Sequence, residues 1–223
     1  MDGIWQSIIN WDRSTFLALN HGMGCRPLDR IMPWVTNLGL GHVQALLVIV
    51  AALIVGWRMR NLSAQKAWAA PAMFAIIIGG LSADVLKLTP NGMRPWWFSV
   101  NEHAAGRNLD FEPRTVEGVY ALKVYRFPSG HTATSFAILT ALIPALPRSR
   151  KKKWVLVGVI AIALSIALSR IYLASHWPLD ILGGALIGSI SGFLSYQACR
   201  AYAAWRSPRG ISILQEESAE APA

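Results

Sequence analysis

The chain has 223 residues, of which 53% are hydrophobic and 15% are charged, with a mean hydropathy of +0.37 and a formal net charge of +9. Soluble domains are nearer one quarter charged, so this composition indicates a protein that lies mostly in lipid. The length suits one bundle of membrane helices without a second domain. The positive charge does not indicate a nucleic-acid partner, because the basic residues lie between apolar runs and not along one amphipathic face.

The first segment, residues 1–41, carries apolar residues at roughly helical spacing that are interrupted by Asp12 and Arg13. Placing this pair at bilayer depth would cost about 2.5–3.5 kcal/mol per charge on insertion scales. We therefore predict an amphipathic helix in the membrane interface, with a first membrane span that tolerates the pair as the alternative. A signal peptide is not expected, because Asp2 stands where a basic n-region would lie and no clean apolar h-region follows.

Five apolar stretches follow, each near the length of about 20 residues that crosses the hydrocarbon. They cover residues 43–57, 67–86, 128–146, 154–168 and 177–198, with a long polar connection over 88–127. The predicted fold class is an all-α, polytopic membrane helix bundle of about five transmembrane helices in a core over 42–198. One membrane domain is expected over 1–209, and residues 210–223, with their Glu, Ala and Pro, are predicted to form a disordered cytoplasmic tail.

The charges of the connecting loops predict the orientation in the membrane. Loops 58–66, 147–153 and 199–209 contain three, five and three Lys or Arg residues and no Asp or Glu, which is typical of cytoplasmic loops. Five spans then put the N-terminus outside and the C-terminus inside. The same topology brings seven polar residues to the outer membrane face: Lys87, Arg94, Ser129, His131, Arg170, His176 and Asp180.

Three of these outer residues are cations that could bind a phosphate or diphosphate. Arg94 and Arg170 offer bidentate donors, and Lys87 offers a point charge. The alternative for Lys87 is a side chain that reaches the membrane interface at the end of a span, with Asp84 as its ion-pair partner.

The stretch Pro128-Ser129-Gly130-His131 has the features of a helix start that binds an anion. Ser129 can cap the helix, and Gly130 lets backbone N–H groups approach a phosphate closely. His131 would stand beside the bound phosphate, where it could protonate a leaving oxygen. The alternative is a capped helix with an interfacial histidine.

His176 and Asp180 are four residues apart and share a face if a helix begins at this point, where Pro178 suits an early helical position. An aspartate so placed can hold one imidazole nitrogen and leave the other free as a base or nucleophile. A lone interfacial histidine is more often structural. Paired with an aspartate and facing three cations, His176 is better interpreted as a nucleophile that forms a phosphohistidine.

No metal site or other cofactor is expected. The five histidines include no His-x3-His arrangement, the two cysteines no Cys-x2-Cys arrangement, and Lys and Arg already supply the charge that a phosphate needs. His21, His42 and His103 are interpreted as surface or interfacial residues. Cys25 and Cys199 fall near opposite ends of the predicted topology, so a disulfide between them is not expected.

Three motifs together resemble the signature of the type 2 phosphatidic acid phosphatase superfamily. They are Lys87-x6-Arg94-Pro95, Pro128-Ser129-Gly130-His131 and Ser169-Arg170-x5-His176-x3-Asp180, and the resemblance covers about residues 84–184 closely. It implies a metal-independent lipid phosphatase with His176 as nucleophile, Asp180 as its orienting residue and His131 as general acid. The residues that the resemblance implies as phosphate ligands are Lys87, Arg94, Ser129, Gly130 and Arg170.

The superfamily also includes soluble acid phosphatases and vanadium haloperoxidases, which the apolar spans argue against. The N-terminal segment is similar to that of small bacterial undecaprenyl-diphosphate phosphatases, which favours this lipid over phosphatidylglycerophosphate, phosphatidate or a lipid A 1-phosphate. The protein is expected in the cytoplasmic membrane, with its active site facing the periplasm or the exterior. The alternative enzyme is a lipid phosphotransferase. The alternatives without enzymatic activity are a membrane scaffold and a lipid transport protein.

Overall fold

The computed structural model describes residues 2–59, 62–89, 92–107, 110–118, 122–146 and 150–206. All regular secondary structure within these ranges is helical, so the predicted all-α class is confirmed. The eight helices of the described residues are α1 (Asp2–Gly22), α2 (Arg26–Asn37), α3 (Gly41–Met59), α4 (Leu62–Lys87), α5 (Pro95–Ala104), α6 (Gly130–Ala145), α7 (Arg150–Tyr172) and α8 (Pro178–Trp205). The predicted tail at 210–223 lies outside the described residues.

Four helices are long and apolar enough to cross a membrane, namely α3, α4, α7 and α8. The protein is therefore a multi-pass membrane protein. The third predicted span corresponds to α6, which has 16 residues and is about 24 Å long. This length is less than the hydrocarbon thickness of about 30 Å, and α6 lies among the longer helices, in contact with α3, α4, α7 and α8.

Small residues allow α6 to pack closely against α8. Gly184, Gly188 and Gly192 recur every fourth residue along α8 and so lie on one face of it. A Cβ atom at Gly188 would overlap the carbonyl oxygen of Ala133 on α6, and one at Gly192 would overlap that of Ala137. Glycine at these positions lets the two backbones touch, as small residues four apart do in membrane helix pairs.

The two N-terminal helices pack at the end of the bundle where α7 ends and α8 begins, and α1 contacts α7 and α8 while α2 contacts α7. The N-terminal part of α1 exposes Ile4 and Trp5, as the predicted amphipathic helix requires. The Asp12 side chain differs from that prediction, because it is buried against α8 and does not face the interface. The local sequence pattern assigned the Asp12 charge to the headgroup region, but contacts with a distant part of the chain bury it.

The polar connection between α4 and α6 contains α5 and covers the end of the bundle where α8 begins. Its residues Phe98 and Phe111 form an aromatic cluster with Phe16 of α1 and Trp177, with ring centroids 5.3–6.0 Å apart. The indole N–H of Trp177 also donates to the Met93 carbonyl at 2.9 Å. The cluster joins α1, the connection and the start of α8.

We expect Gly188→Ala to destabilise the protein by about 1–3 kcal/mol or more, because the added methyl group overlaps Ala133 and forces the two helices apart. The matched control is Gly158→Ala on α7, where a Cβ atom would meet no atom within 4 Å and which should leave stability unchanged or slightly higher. Thermal unfolding in detergent, followed by circular dichroism, measures both. Equal melting temperatures for Gly188→Ala and the wild type would contradict the close packing of α6 on α8.

Candidate active site

The connection between α7 and α8 holds His176 and Asp180 together. Trp177 caps α8 and Pro178 occupies its first turn, as the sequence predicts. The Asp180 Oδ2 atom accepts the backbone N–H of Trp177 at 3.0 Å and lies 3.3 Å from His176 Nδ1. The predicted pairing of the imidazole with a carboxylate four residues later is therefore present.

The surroundings of His176 favour a neutral ring with one free nitrogen. Its side chain is buried, and burial together with the positive charges of Arg170 and Arg94 lowers its pKa well below the usual value of 6.5. A carboxylate can only accept, so Nδ1 carries the proton that faces Asp180. The lone pair of Nε2 is then available for chemistry at neutral pH.

The N-terminus of α6 lies directly beside the first turn of α8. Ser129 caps α6 as predicted, and its hydroxyl oxygen accepts from the Thr132 N–H at 3.4 Å. The Ser129 N–H donates to the Asp180 carbonyl at 3.0 Å. A Cβ atom at Gly184 would stand 2.6 Å from the Ser129 carbonyl oxygen, so a glycine is needed there for this approach. The N-termini of α6 and α8 thus meet at one place.

His131 lies in the first turn of α6, and its side chain packs against the turn between α2 and α3. A Cβ atom at Gly39 would lie 2.8 Å from His131 Cδ2. The His131 carbonyl accepts the Ser135 hydroxyl at 2.7 Å, and that hydroxyl accepts the Gln44 amide N–H at 2.7 Å. Electrostatic interactions link His131 to His176. The predicted acid and the predicted nucleophile therefore belong to one cluster.

Two donor groups of the Arg170 guanidinium differ in their hydrogen-bond partners. Its Nη1 donates to the Thr36 hydroxyl of α2 at 2.6 Å, and the side chain is buried. Its Nε has no hydrogen-bond partner among the described residues. Buried donors are nearly always paired, so this N–H is suited to an anion in the site.

Arg94 binds three backbone carbonyls in the structure. Its guanidinium donates to Val124, Tyr125 and Ser175 over 3.2–3.3 Å and so ties the polar connection to the His176 loop. Burial lowers the pKa of Arg94 to about 10, which leaves the group charged at pH 7. The guanidinium has five N–H donors, so two remain for a phosphate.

Lys87 forms the predicted ion pair and also lies near the start of α6. Its Nζ lies 2.9 Å from Asp84 Oδ1 in an ion pair. The same atom would be 3.2 Å from a Cβ atom at Gly130, at the N-terminus of α6. All eight predicted site residues are therefore in one region, where α4 and α7 end and α6 and α8 begin.

The sequence analysis missed polar residues of the N-terminal helices that support this region. Asn20 of α1 is fully buried and donates to the Ile171 and Tyr172 carbonyls at 3.0 Å, where α7 ends. Thr36 of α2 contacts Arg170 at 2.6 Å. Both residues occur in polar surroundings far from the site along the chain, so no local spacing could reveal them. The only available signal was the charge of Asp12, which interrupts an otherwise apolar helix face.

Comparison with known proteins agrees with this geometry. A model of the PAP2 superfamily matches residues 68–202, a range that contains all eight predicted site residues. The undecaprenyl-diphosphatase of Sulfolobus acidocaldarius is 41% identical over 189 residues, which cover 85% of this chain and 79% of that protein. Phosphatidylglycerophosphatase B of Bacillus subtilis is 27% identical over 178 residues, covering 75% and 73%. The crystal structure of Aquifex aeolicus LpxE is similar with a TM-score of 0.61 at 28% identity, over 82% of this chain and 93% of that one.

Proposed function

The chain belongs to the PAP2 superfamily and is a membrane phosphatase, and from this premise we propose that it converts undecaprenyl diphosphate to undecaprenyl phosphate at the outer face of the cytoplasmic membrane. The observation that carries the proposal is the His176–Asp180 pair, whose 3.3 Å contact occupies Nδ1, so that Nε2 is the nitrogen to which we assign the nucleophilic role. The choice of lipid follows the name of the Sulfolobus relative. Phosphatidylglycerophosphate, which the Bacillus relative's name indicates, is the second candidate.

In the proposed reaction, His176 Nε2 attacks the terminal phosphorus and the bond from this phosphorus to the bridging oxygen breaks. His131, protonated beside the anionic diphosphate, donates a proton to the leaving oxygen and becomes neutral, and the lipid departs as its monophosphate. A water molecule that loses a proton to His131 then attacks the phosphohistidine and releases inorganic phosphate. This second step restores His176, while Asp180 holds its ring in place throughout.

Charge on the phosphoryl oxygens is stabilised by three side chains and one helix start. Lys87, Arg94 and Arg170 supply the cations, and the N–H groups near Ser129 and Gly130 supply hydrogen bonds at the positive end of the α6 dipole. Fixed cations of this kind do what a metal ion does in other phosphatases. The proposed reaction therefore uses neither a metal nor another cofactor.

The outward direction of the site follows from the positive-inside rule. Lys87 ends α4 and Arg170 lies in the last turn of α7, while Ser129 precedes α6. The strongly basic loops 58–66 and 147–153 join the opposite ends of these helices. Cytoplasmic loops carry the excess of Lys and Arg, so the site belongs to the outer side.

A groove between α3, α6 and α7 supports a lipid substrate. It encloses about 580 Å³. Along α7 it extends from Ile166 to Val155, a distance of about 17 Å at the helical rise. Its outer end includes Gln44 and Ser135. The Gln44 amide donates to the Ser135 hydroxyl, which donates to the His131 backbone carbonyl. A groove of this length and volume suits the one polyprenyl chain of undecaprenyl diphosphate.

The substrate is tested with a panel of lipids in detergent and excess chelator: undecaprenyl diphosphate, phosphatidylglycerophosphate, phosphatidate and a lipid A 1-phosphate. We expect undecaprenyl diphosphate to have the highest kcat/KM, by at least about tenfold. Release of inorganic phosphate is measured with and without an acceptor lipid, because a phosphotransferase would depend on the acceptor. A preference for another lipid would overturn the proposed substrate, and a strict requirement for added Mg²⁺ would overturn the metal-free reaction.

Replacing His176 by alanine should reduce kcat by at least about 10³-fold, because no nucleophile remains to form the phosphohistidine. Rapid quench in alkaline denaturant, which preserves the acid-labile phosphorus–nitrogen bond, with lipid labelled in its terminal phosphate should trap label on the wild-type protein and none on His176→Ala. The control is His103→Ala, which removes an exposed histidine of α5 and should leave kcat unchanged. Turnover of His176→Ala at the wild-type rate would exclude the covalent mechanism.

Filling the groove should affect long-chain substrates selectively. In Val159→Trp the indole would occupy groove volume, so kcat/KM for undecaprenyl diphosphate should fall at least about tenfold, since each methylene group removed from apolar contact costs about 0.8 kcal/mol. Isopentenyl diphosphate, whose short chain does not reach Val159, should be hydrolysed at an unchanged rate. The matched control is Val157→Trp, on the exposed side of α7 outside the groove lining. Equal losses for both substrates would argue against a chain in this groove.

A further inference from the structure

One buried carboxylate near the site has no part in the proposed reaction. Asp12 of α1 is only 4% exposed. Its Oδ1 accepts the backbone N–H of Leu179 at 2.9 Å, in the first turn of α8. The next residue along α8 is Asp180, so the contact from α1 reaches the turn that carries the orienting carboxylate.

A single arginine lies between Asp12 and Asp180. Arg126 Nη1 is 3.9 Å from Asp12 Oδ2, and Arg126 Nε is 3.8 Å from Asp180 Oδ1. The guanidinium also lies over the Trp177 ring at 5.7 Å from its centroid. Arg126 therefore contacts both the orienting carboxylate and the residue whose N–H binds it.

The two oxygens of Asp180 have different surroundings. Oδ2 binds the Trp177 N–H and faces His176, as described above. Oδ1 is buried and accepts no hydrogen bond from the described residues. A buried carboxylate is costly to ionise unless a charge or donor compensates it, and Arg126 is the cation that faces this second oxygen.

We propose that Arg126, held by Asp12, is a positioning residue that keeps the Asp180 carboxylate ionised and aimed at His176. The inference rests on the proposed function of the His176–Asp180 pair. The proposed chain of contacts has four residues. Asp12 fixes Arg126, Arg126 fixes Asp180, and Asp180 orients the imidazole of His176. Neither Asp12 nor Arg126 belongs to the three motifs that the sequence analysis identified.

The charged groups around this chain of contacts determine its dependence on pH. Asp12 is faced by Asp180 from α8, by Arg126 from the connection before α6, and by Arg13 from its own helix. Burial raises the pKa of Asp12, and the neighbouring Asp180 charge raises it further, while the Leu179 N–H and Arg126 oppose the shift. Asp180 is faced by Arg126, Arg94, His176 and Asp12. Loss of the Arg126 charge would therefore make Asp180 easier to protonate.

The test compares Arg126→Gln with wild type on a lipid that the wild type hydrolyses. We expect kcat to fall about tenfold with KM changed less than about twofold, because positioning acts on the chemical step and not on binding. The acid limb of the kcat profile should move to higher pH, since Asp180 loses the charge that keeps it ionised. Arg126→Lys, which keeps a positive charge, should restore most of kcat and the wild-type acid limb. The matched control is Arg107→Gln, which removes an exposed arginine paired with Glu102 away from the site and should change neither value.

A double variant tests whether Asp12 acts through Arg126. Asp12→Asn keeps an oxygen for the Leu179 N–H but cannot form the ion pair, so it should lower kcat less than Arg126→Gln. The double variant Asp12→Asn/Arg126→Gln should match Arg126→Gln alone, as expected for residues in one chain of contacts. Additive losses, a raised KM with unchanged kcat, or an unmoved acid limb in Arg126→Gln would each overturn the inference while leaving the phosphatase proposal intact. Failure of the wild type to hydrolyse any lipid of the panel would overturn both.

Discussion

The direct contact between the backbones of α6 and α8 is the constraint on which the site depends. Gly188 and Gly192 leave no side chain between the two helices, and the Ser129 N–H donates to the Asp180 carbonyl at the end of the same contact where both helices begin. Helices are stiff over this distance, so the separation of the two helix N-termini is fixed along the whole interface. The relative position of the two histidines thus depends on residues that lie several turns deeper in the bundle.

The same contact concentrates polar groups where the membrane helices end, and the N-terminal helices compensate for them. The last carbonyls of α7 have no partner within the helix, and Asn20 of α1 supplies the donors that they need. Thr36 of α2 supplies an acceptor, because its hydroxyl oxygen accepts a hydrogen bond from the Arg170 guanidinium. The local sequence pattern assigned α1 and α2 to the membrane interface. These two helices also support the site through their buried polar side chains.

The site residues were predictable from sequence where the structural reason is local. The four-residue spacing of His176 and Asp180, the capping serine at 129 and the proline at 178 each act within one turn of helix, and each has the predicted geometry. Asp12 and Arg126 could not be assigned in this way, because their partners come from distant parts of the chain. Helix α5 was missed because its ten residues are too few for a clear helical period and lie within a connection that is otherwise polar. Helix α6 is shorter than predicted because its cap follows the proline that opens the apolar run.

Cations outnumber carboxylates in this region, and the imbalance has a consequence for binding. Lys87 has an ion-pair partner in Asp84, but that carboxylate is mostly exposed and its attraction is screened by water. Arg94 and Arg170 are buried and interact with each other unfavourably. An anion that enters between them relieves this repulsion, so the protein gains more from a phosphate group than from a neutral headgroup. In the proposed reaction this gain increases as negative charge develops on the transferring phosphoryl group, which is the condition for speeding the chemical step and not only the binding of the lipid.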